Sequence, residues 1–201
     1  MSIIQRSAAG SGVTTTGAAT DHGAVPVAVP TAALRVLAVL RIALGWIFLW
    51  AFLDKTFALG FGTGINAKTG VITRFGDAAW LHGGSPTAGF LGHGTSGPLS
   101  GFYSSFAGAG WADALFMLGL LGIGLALILG IGMRIAAASG VAMLVMMWSA
   151  VLPTANNPFL DDHLVYAIAL VALALAGAGR TFGLGARYER IGIVARHPFL
   201  R

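Results

Sequence analysis

The sequence predicts an all-α integral membrane protein: a four-helix bundle with short interfacial helices in the outer loop between helices 1 and 2. Three observations carry that prediction. Of 201 residues, 56% are hydrophobic and only 9% are charged, against roughly a quarter charged in soluble domains. The apolar residues collect into four runs with the length, or nearly the length, needed to cross a ~30 Å hydrocarbon core as helices. The positive charges gather on one side of those runs.

Residues 1–30 are Ser, Thr, Gly, Ala and Pro with little charge and no apolar run like a signal-peptide core, and they read as a disordered tail. The first span covers about 31–54. Arg35 and Arg41 interrupt it, but Ile42 through Leu53 carries no charge. The outer loop, 55–110, is too long and too aromatic for a plain linker. Ser85-Pro86 and Gly97-Pro98 read as helix starts with proline at the first helical position. Phe90, Leu91, Phe102, Tyr103 and Phe106 follow them, so short interfacial helices are expected to cap the outer end of the bundle. Spans two and three cover about 111–131 and 135–152. Only Gly132-Met133-Arg134 separates them, which predicts a tight antiparallel hairpin. Gly122, Ala126 and Gly130, four residues apart, and the patch from Ala136 to Gly140 suit close helix packing. The fourth span covers about 160–179 and closes a transmembrane domain of residues 31–182. A basic cytoplasmic tail, 183–201, follows.

The net charge of +5 comes from 12 Lys and Arg against 7 acids. With four spans, Arg6, Arg35, Arg134, Arg180, Arg187, Arg190, Arg196 and Arg201 share one side, against Lys55, Lys68 and Arg74 on the other. This asymmetry places both termini in the cytoplasm and the protein in the plasma membrane. It explains the basic balance without nucleic acid. The chain has no cysteine, which excludes disulfides and haem attached through Cys; no covalently bound cofactor is expected.

Candidate chemistry is concentrated in Asn156-Asn157-Pro158-Phe159-Leu160-Asp161-Asp162-His163, at the mouth of the fourth span. That span has sixteen uncharged residues, 164–179, roughly 24 Å of helix, so Asp162 and His163 are expected near the hydrocarbon boundary. Tyr166 lies one turn on. A carboxylate pair, an imidazole and a phenol are the ingredients of proton exchange at a quinone site. The competing reading is helix N-terminus chemistry: Asn157 as cap, Pro158 in the first turn, acids complementing the dipole. Arg41 lies 13 residues before Asp54, roughly 20 Å into the membrane. Intramembrane arginines are functional candidates, but this one also has a stem long enough to snorkel, or to cap carbonyls. Arg41, Gly45, Phe48, Phe52 and Lys55 share one helical face, suited to a bundle seam or to a flat ring lying over Gly45. Gly62 to Thr69 only approximates a phosphate-binding loop and follows no strand. His82 and His93 have no metal-ligand spacing.

Arg41-x3-Gly45, Asp54-Lys55, Ser85-Pro86-Thr87-x-Gly89-Phe90-Leu91, Gly132-x-Arg134 and Asn157-Pro158-Phe159-Leu160-Asp161-Asp162-His163 together resemble the DoxX/DoxD family over about residues 34–200. The resemblance implies a small four-helix membrane bundle. It further implies the membrane subunit of a thiosulfate:quinone oxidoreductase, which joins two thiosulfates into tetrathionate while reducing a quinone. On that implication Asp161, Asp162 and His163 are catalytic, delivering protons to the quinone with Tyr166. Arg41 or Lys55 would polarise a quinone carbonyl, and Lys55, Lys68 and Arg74 would attract the small sulfur oxyanion. The two electrons would pass directly between the small molecules or through a second subunit. The alternative is a non-catalytic membrane scaffold for a redox or stress-response complex, in which the same motif only fixes a helix end.

Overall fold

A computed structural model describes residues 29–154 and 157–201. The expected tail therefore lies almost wholly outside the described residues, and so does Asn156. Among the described residues all regular elements are helical, with a single isolated bridge, Ile65 to Ile72, in the loop after the first helix. The helices are α1 (Thr31–Phe57), α2 (Pro86–His93), α3 (Ser100–Ser104), α4 (Gly110–Leu129), α5 (Met133–Ala150), α6 (Asp162–Leu175), α7 (Gly185–Tyr188) and α8 (Gly192–Arg196). Helices α1, α4 and α5 are long and apolar enough to cross a membrane. Helix α6 is apolar but has only 14 residues, about 21 Å of rise.

Helix ends follow from local chemistry. Helix α1 stops where Ala58 turns left-handed and returns its N–H to the Asp54 carbonyl. Helix α4 stops at left-handed Gly130, and left-handed Gly132 starts α5, which makes the expected hairpin. The fourth helix ends short of residue 179, because Ala176 and left-handed Gly177 terminate it and a 3-10 turn, Ala178–Arg180, follows. The expected start at Gly97-Pro98 also shifts. Gly97 is a left-handed turn residue (φ 73°), its carbonyl accepts from the Ser100 backbone N–H and hydroxyl, and α3 begins only at Ser100.

Packing runs α1 on α4, α4 on α5, α5 on α6, with α6 returning to α1. The shared core includes Leu44, Phe48, Met117, Leu120, Leu127, Met143, Leu170 and Leu173. At the α1–α4 seam glycines set the spacing: a Cβ on Gly45 would stand 2.9 Å from Leu127 Cβ, and one on Gly124 2.8 Å from the Leu49 backbone N. That contact leaves no room for a flat ring over Gly45. Of the Gly122, Ala126 and Gly130 row, Gly122 does not serve as a seam, since a Cβ there would meet open space, whereas Gly130 is closed in by Gly179 and Arg41. Gly140 does pack inward, against Leu170 and Ile123.

Outward faces are apolar too. Val36, Val39, Trp46 and Ile47 on α1, Leu115, Leu118 and Leu125 on α4, and Val165, Ile168, Val171 and Leu175 on α6 are all exposed. Helices that are hydrophobic all round belong in lipid. The chain is built for a bilayer.

Two ends can be distinguished. The loop end holds the C-terminus of α1, helices α2 and α3 and the start of α6; the turn end holds the α4–α5 hairpin and the C-terminal segment. Residues 183–201 form more than a tail. Leu184 N–H donates to the Leu129 carbonyl at 2.8 Å, Arg134 N–H to the Arg201 carbonyl at 2.9 Å, and the Arg134 guanidinium to the Pro198 carbonyl at 3.1 Å. Arg180 pairs with Glu189 at 2.8 Å. The segment folds back over the turn end.

Candidate functional site

The opening of α6 is built on one side chain. Asp161 is the N-cap, and its Oδ1 accepts from Leu164 N–H at 3.3 Å. Its Oδ2 lies 2.7 Å from His163 Nδ1, so both oxygens of this largely covered carboxylate are engaged. Asp162 is mostly exposed, with Oδ1 3.6 Å from the same ring nitrogen. Donor atoms of the three residues fall within 4.8 Å of one another. His163 Nε2 makes no hydrogen bond among the described residues, which leaves it as the exchangeable nitrogen of an imidazole oriented by its other nitrogen.

Asn157 does not cap the helix. Its Oδ1 accepts from Phe159 and Leu160 N–H at 3.0 and 3.1 Å, an Asx turn that folds the loop four residues earlier. Pro158 accordingly sits in that turn rather than in α6. Trp148 Nε1 donates to the Phe159 carbonyl at 2.7 Å and ties the loop to the end of α5. The helix-terminus reading thus describes Asp161, and the Asp161–His163 pair exceeds what a cap requires.

The other candidates are dispersed. Tyr166 is half-buried against the shared core and makes no hydrogen bond to His163. Lys55, at the loop end of α1, has its ammonium 6.0 Å from the centre of the Phe116 ring and no ion pair or hydrogen bond among the described residues. Its neighbour Asp54 is buried, accepting from Phe61 N–H at 3.1 Å and Thr63 N–H at 2.9 Å, which anchors the start of the loop. Of the other cations expected to attract the oxyanion, Lys68 is exposed in an Asn66 turn and Arg74 Nε donates to the Leu59 carbonyl at 3.0 Å.

Arg41 is fully enclosed at the turn end, far along α1 from Lys55. Its NH1 donates to the Leu127 and Ile128 carbonyls and its NH2 to those of Thr181 and Phe182, at 2.9 Å to Ile128, 3.2 Å to Thr181 and 3.0 Å to Phe182. Carbonyl capping, rather than snorkelling or a position facing a ligand, describes this residue. It bonds two of the last carbonyls of α4, Leu127 and Ile128, and fastens the C-terminal segment to them.

Sequence reasoning passed over Asp113. It is buried in the first turn of α4, and its Oδ1 accepts from Ser85 Oγ (2.9 Å), Thr87 N–H (2.8 Å) and Thr87 Oγ1 (2.7 Å). Ser85 in turn caps α2 through Ala88 N–H at 3.0 Å, as its Ser-Pro signature predicts. The available signal was an acid in the first turn of an otherwise uncharged span.

No protein family, curated protein or solved structure matches this chain. Fold and site together define a class: a helical membrane protein whose buried charges fix helix ends and loops, with an imidazole oriented by a carboxylate at the loop end.

Proposed function

We propose that this chain is a DoxX-like four-helix bundle in the plasma membrane, with α6 as the fourth, short span and both termini cytoplasmic, serving as the membrane subunit of a quinone-linked oxidoreductase. The observation that carries the reading is the 2.7 Å Asp161–His163 pair at the loop end. Thiosulfate is the leading electron donor. Two thiosulfates lose two electrons as their sulfurs join in tetrathionate, and a quinone takes up those electrons with two protons. His163, oriented by Asp161, passes protons from the exposed Asp162 side through Nε2. A quinone's carbonyl oxygens need donors. Lys55 Nζ is at this end without a partner among the described residues and His163 Nε2 becomes a donor once the ring takes up a proton, whereas the donors of Arg41 bonded above are committed to carbonyls.

A second reading, the non-catalytic scaffold, draws on a specific observation: Asp54, Asp113 and Arg41 are all engaged in holding backbone or loop. The deciding experiment is thiosulfate-dependent reduction of a soluble quinone by the purified protein, alone and with candidate partner subunits. Asp161→Asn, Asp162→Asn and His163→Ala are expected to abolish it. Activity surviving all three refutes the site, and inactivity in every pairing with normal complex assembly selects the scaffold.

A further inference from the structure

A cavity of about 440 Å³ lies at the loop end, separate from the Asp161–His163 pair, between α2 and α3 above and α4 and α5 below. Phe116, Met143 and Met147 form its floor, and Phe90 and Phe106 close it from the cap. Its lining includes no charged residue. Two hydroxyl side chains reach the wall, and both are spent. Thr87 Oγ1 donates to Asp113 and accepts from Gly108 N–H at 3.1 Å, and Tyr103 OH bonds Ser149 Oγ at 2.5 Å. A guest with polar groups would leave them unpaired here, at the cost of burying an unbonded carbonyl or hydroxyl. An empty space of this size would forfeit dispersion contacts for every side chain around it. The chemistry that fits is a hydrocarbon chain, and the methionines supply a floor that adapts to one.

The mouth indicates where such a chain comes from. Trp111 and Leu115 line the cavity yet are 64% and 65% exposed, on the first turns of a membrane-length helix whose next exposed residue is Leu118. The cavity is therefore continuous with the lipid-facing surface of α4. Trp111 stands at the helix end, where indoles settle at headgroup level, and its Nε1 donates to nothing among the described residues.

We infer that this cavity is a seat for one acyl chain of a bilayer phospholipid, admitted past Leu115 and with its headgroup beside Trp111. The seat is independent of the quinone reading, because past the Trp111 indole at its mouth the lining offers a quinone's carbonyls no free donor. The test uses full-length protein in phosphatidylethanolamine–phosphatidylglycerol vesicles, doped with phosphatidylethanolamine bearing a diazirine at the end of one acyl chain. After irradiation, carbene adducts are mapped by mass spectrometry. Adducts are expected on the floor residues Phe116 and Met143, which lie below the lipid-facing surface, as well as on Ile168 of α6. Met147→Trp, which fills the floor, should abolish the Phe116 adduct and leave the Ile168 adduct unchanged, the latter reporting that the variant is folded and inserted. A smaller filler, Ala112→Val, provides a second route if that variant fails to insert. Absence of floor adducts in the parent protein overturns the proposal, as does a Phe116 adduct that survives filling. Loss of the floor adducts to excess decyl-quinone, with Ile168 still labelled, would assign the cavity to the quinone instead and overturn it as well.

Discussion

Replacing Arg41 tests how the turn end is held together. Its guanidinium bonds four carbonyls on two segments, Leu127 and Ile128 at the end of α4 and Thr181 and Phe182 after α6. Hydrogen bonds from a charged donor contribute roughly 1.5–3 kcal/mol each, so four give about 6–12 kcal/mol gross. Enclosing the cation costs several kcal/mol. Arg41→Met removes both terms and strands carbonyls in a medium that offers no water; a net loss of about 3–5 kcal/mol is expected. Arg41→Lys separates charge from geometry. An ammonium keeps the charge but is a compact point donor that reaches one carbonyl pair and not both. It should lose about 2 kcal/mol or more, on the order of two charge-assisted bonds less the smaller burial cost. Denaturant titration in mild detergent, followed by tryptophan fluorescence, measures the loss. Limited proteolysis of residues 183–201 reports whether the C-terminal segment has come away. If Arg41→Lys stays within about 0.5 kcal/mol of the parent, the range of an ordinary surface substitution, with that segment equally protected, the bridging argument fails.

Two further outcomes test the seam and the cap. Gly124→Ala should destabilise the bundle by about 1–3 kcal/mol, as overpacking does, because its Cβ would stand 2.8 Å from the Leu49 backbone. Gly122→Ala, facing open space, should be neutral or slightly stabilising in the same titration, and equal effects at the two sites would contradict the seam. Asp113→Ala removes the acceptor of three hydrogen bonds and should release α2. Amide exchange at Thr87 is expected to rise sharply while that at Leu127 does not, and unchanged exchange at Thr87 would show that Asp113 does not hold the cap.

Particular residues show how far the sequence could be read. Arg41, Gly45, Phe48 and Phe52 do point into the bundle, since helical periodicity is a property of one element. The Gly132 turn and the Ser85-Pro86 start are local too, and both stand where the sequence puts them. The cap of α6 is misplaced: the sequence reading puts it at Asn157, but Asp161, four residues on, takes that position, with Trp148 anchoring the intervening loop from another helix. Asp113 escaped notice because its partners, Ser85 and Thr87, precede it by more than twenty residues and reach it only through the fold of the cap.

The sequence by itself determined an all-helical, lipid-adapted chain, because composition and short-range periodicity decide which segments can leave water. Only the tertiary structure decided what each charge does. Arg41 and Asp113 bond groups distant in sequence, and Asp161 divides its two oxygens between a helix end and an imidazole. Hydrogen bonds are set by where backbones converge, and glycine-mediated contacts such as Gly45 with Gly124 fix that convergence through three-dimensional packing.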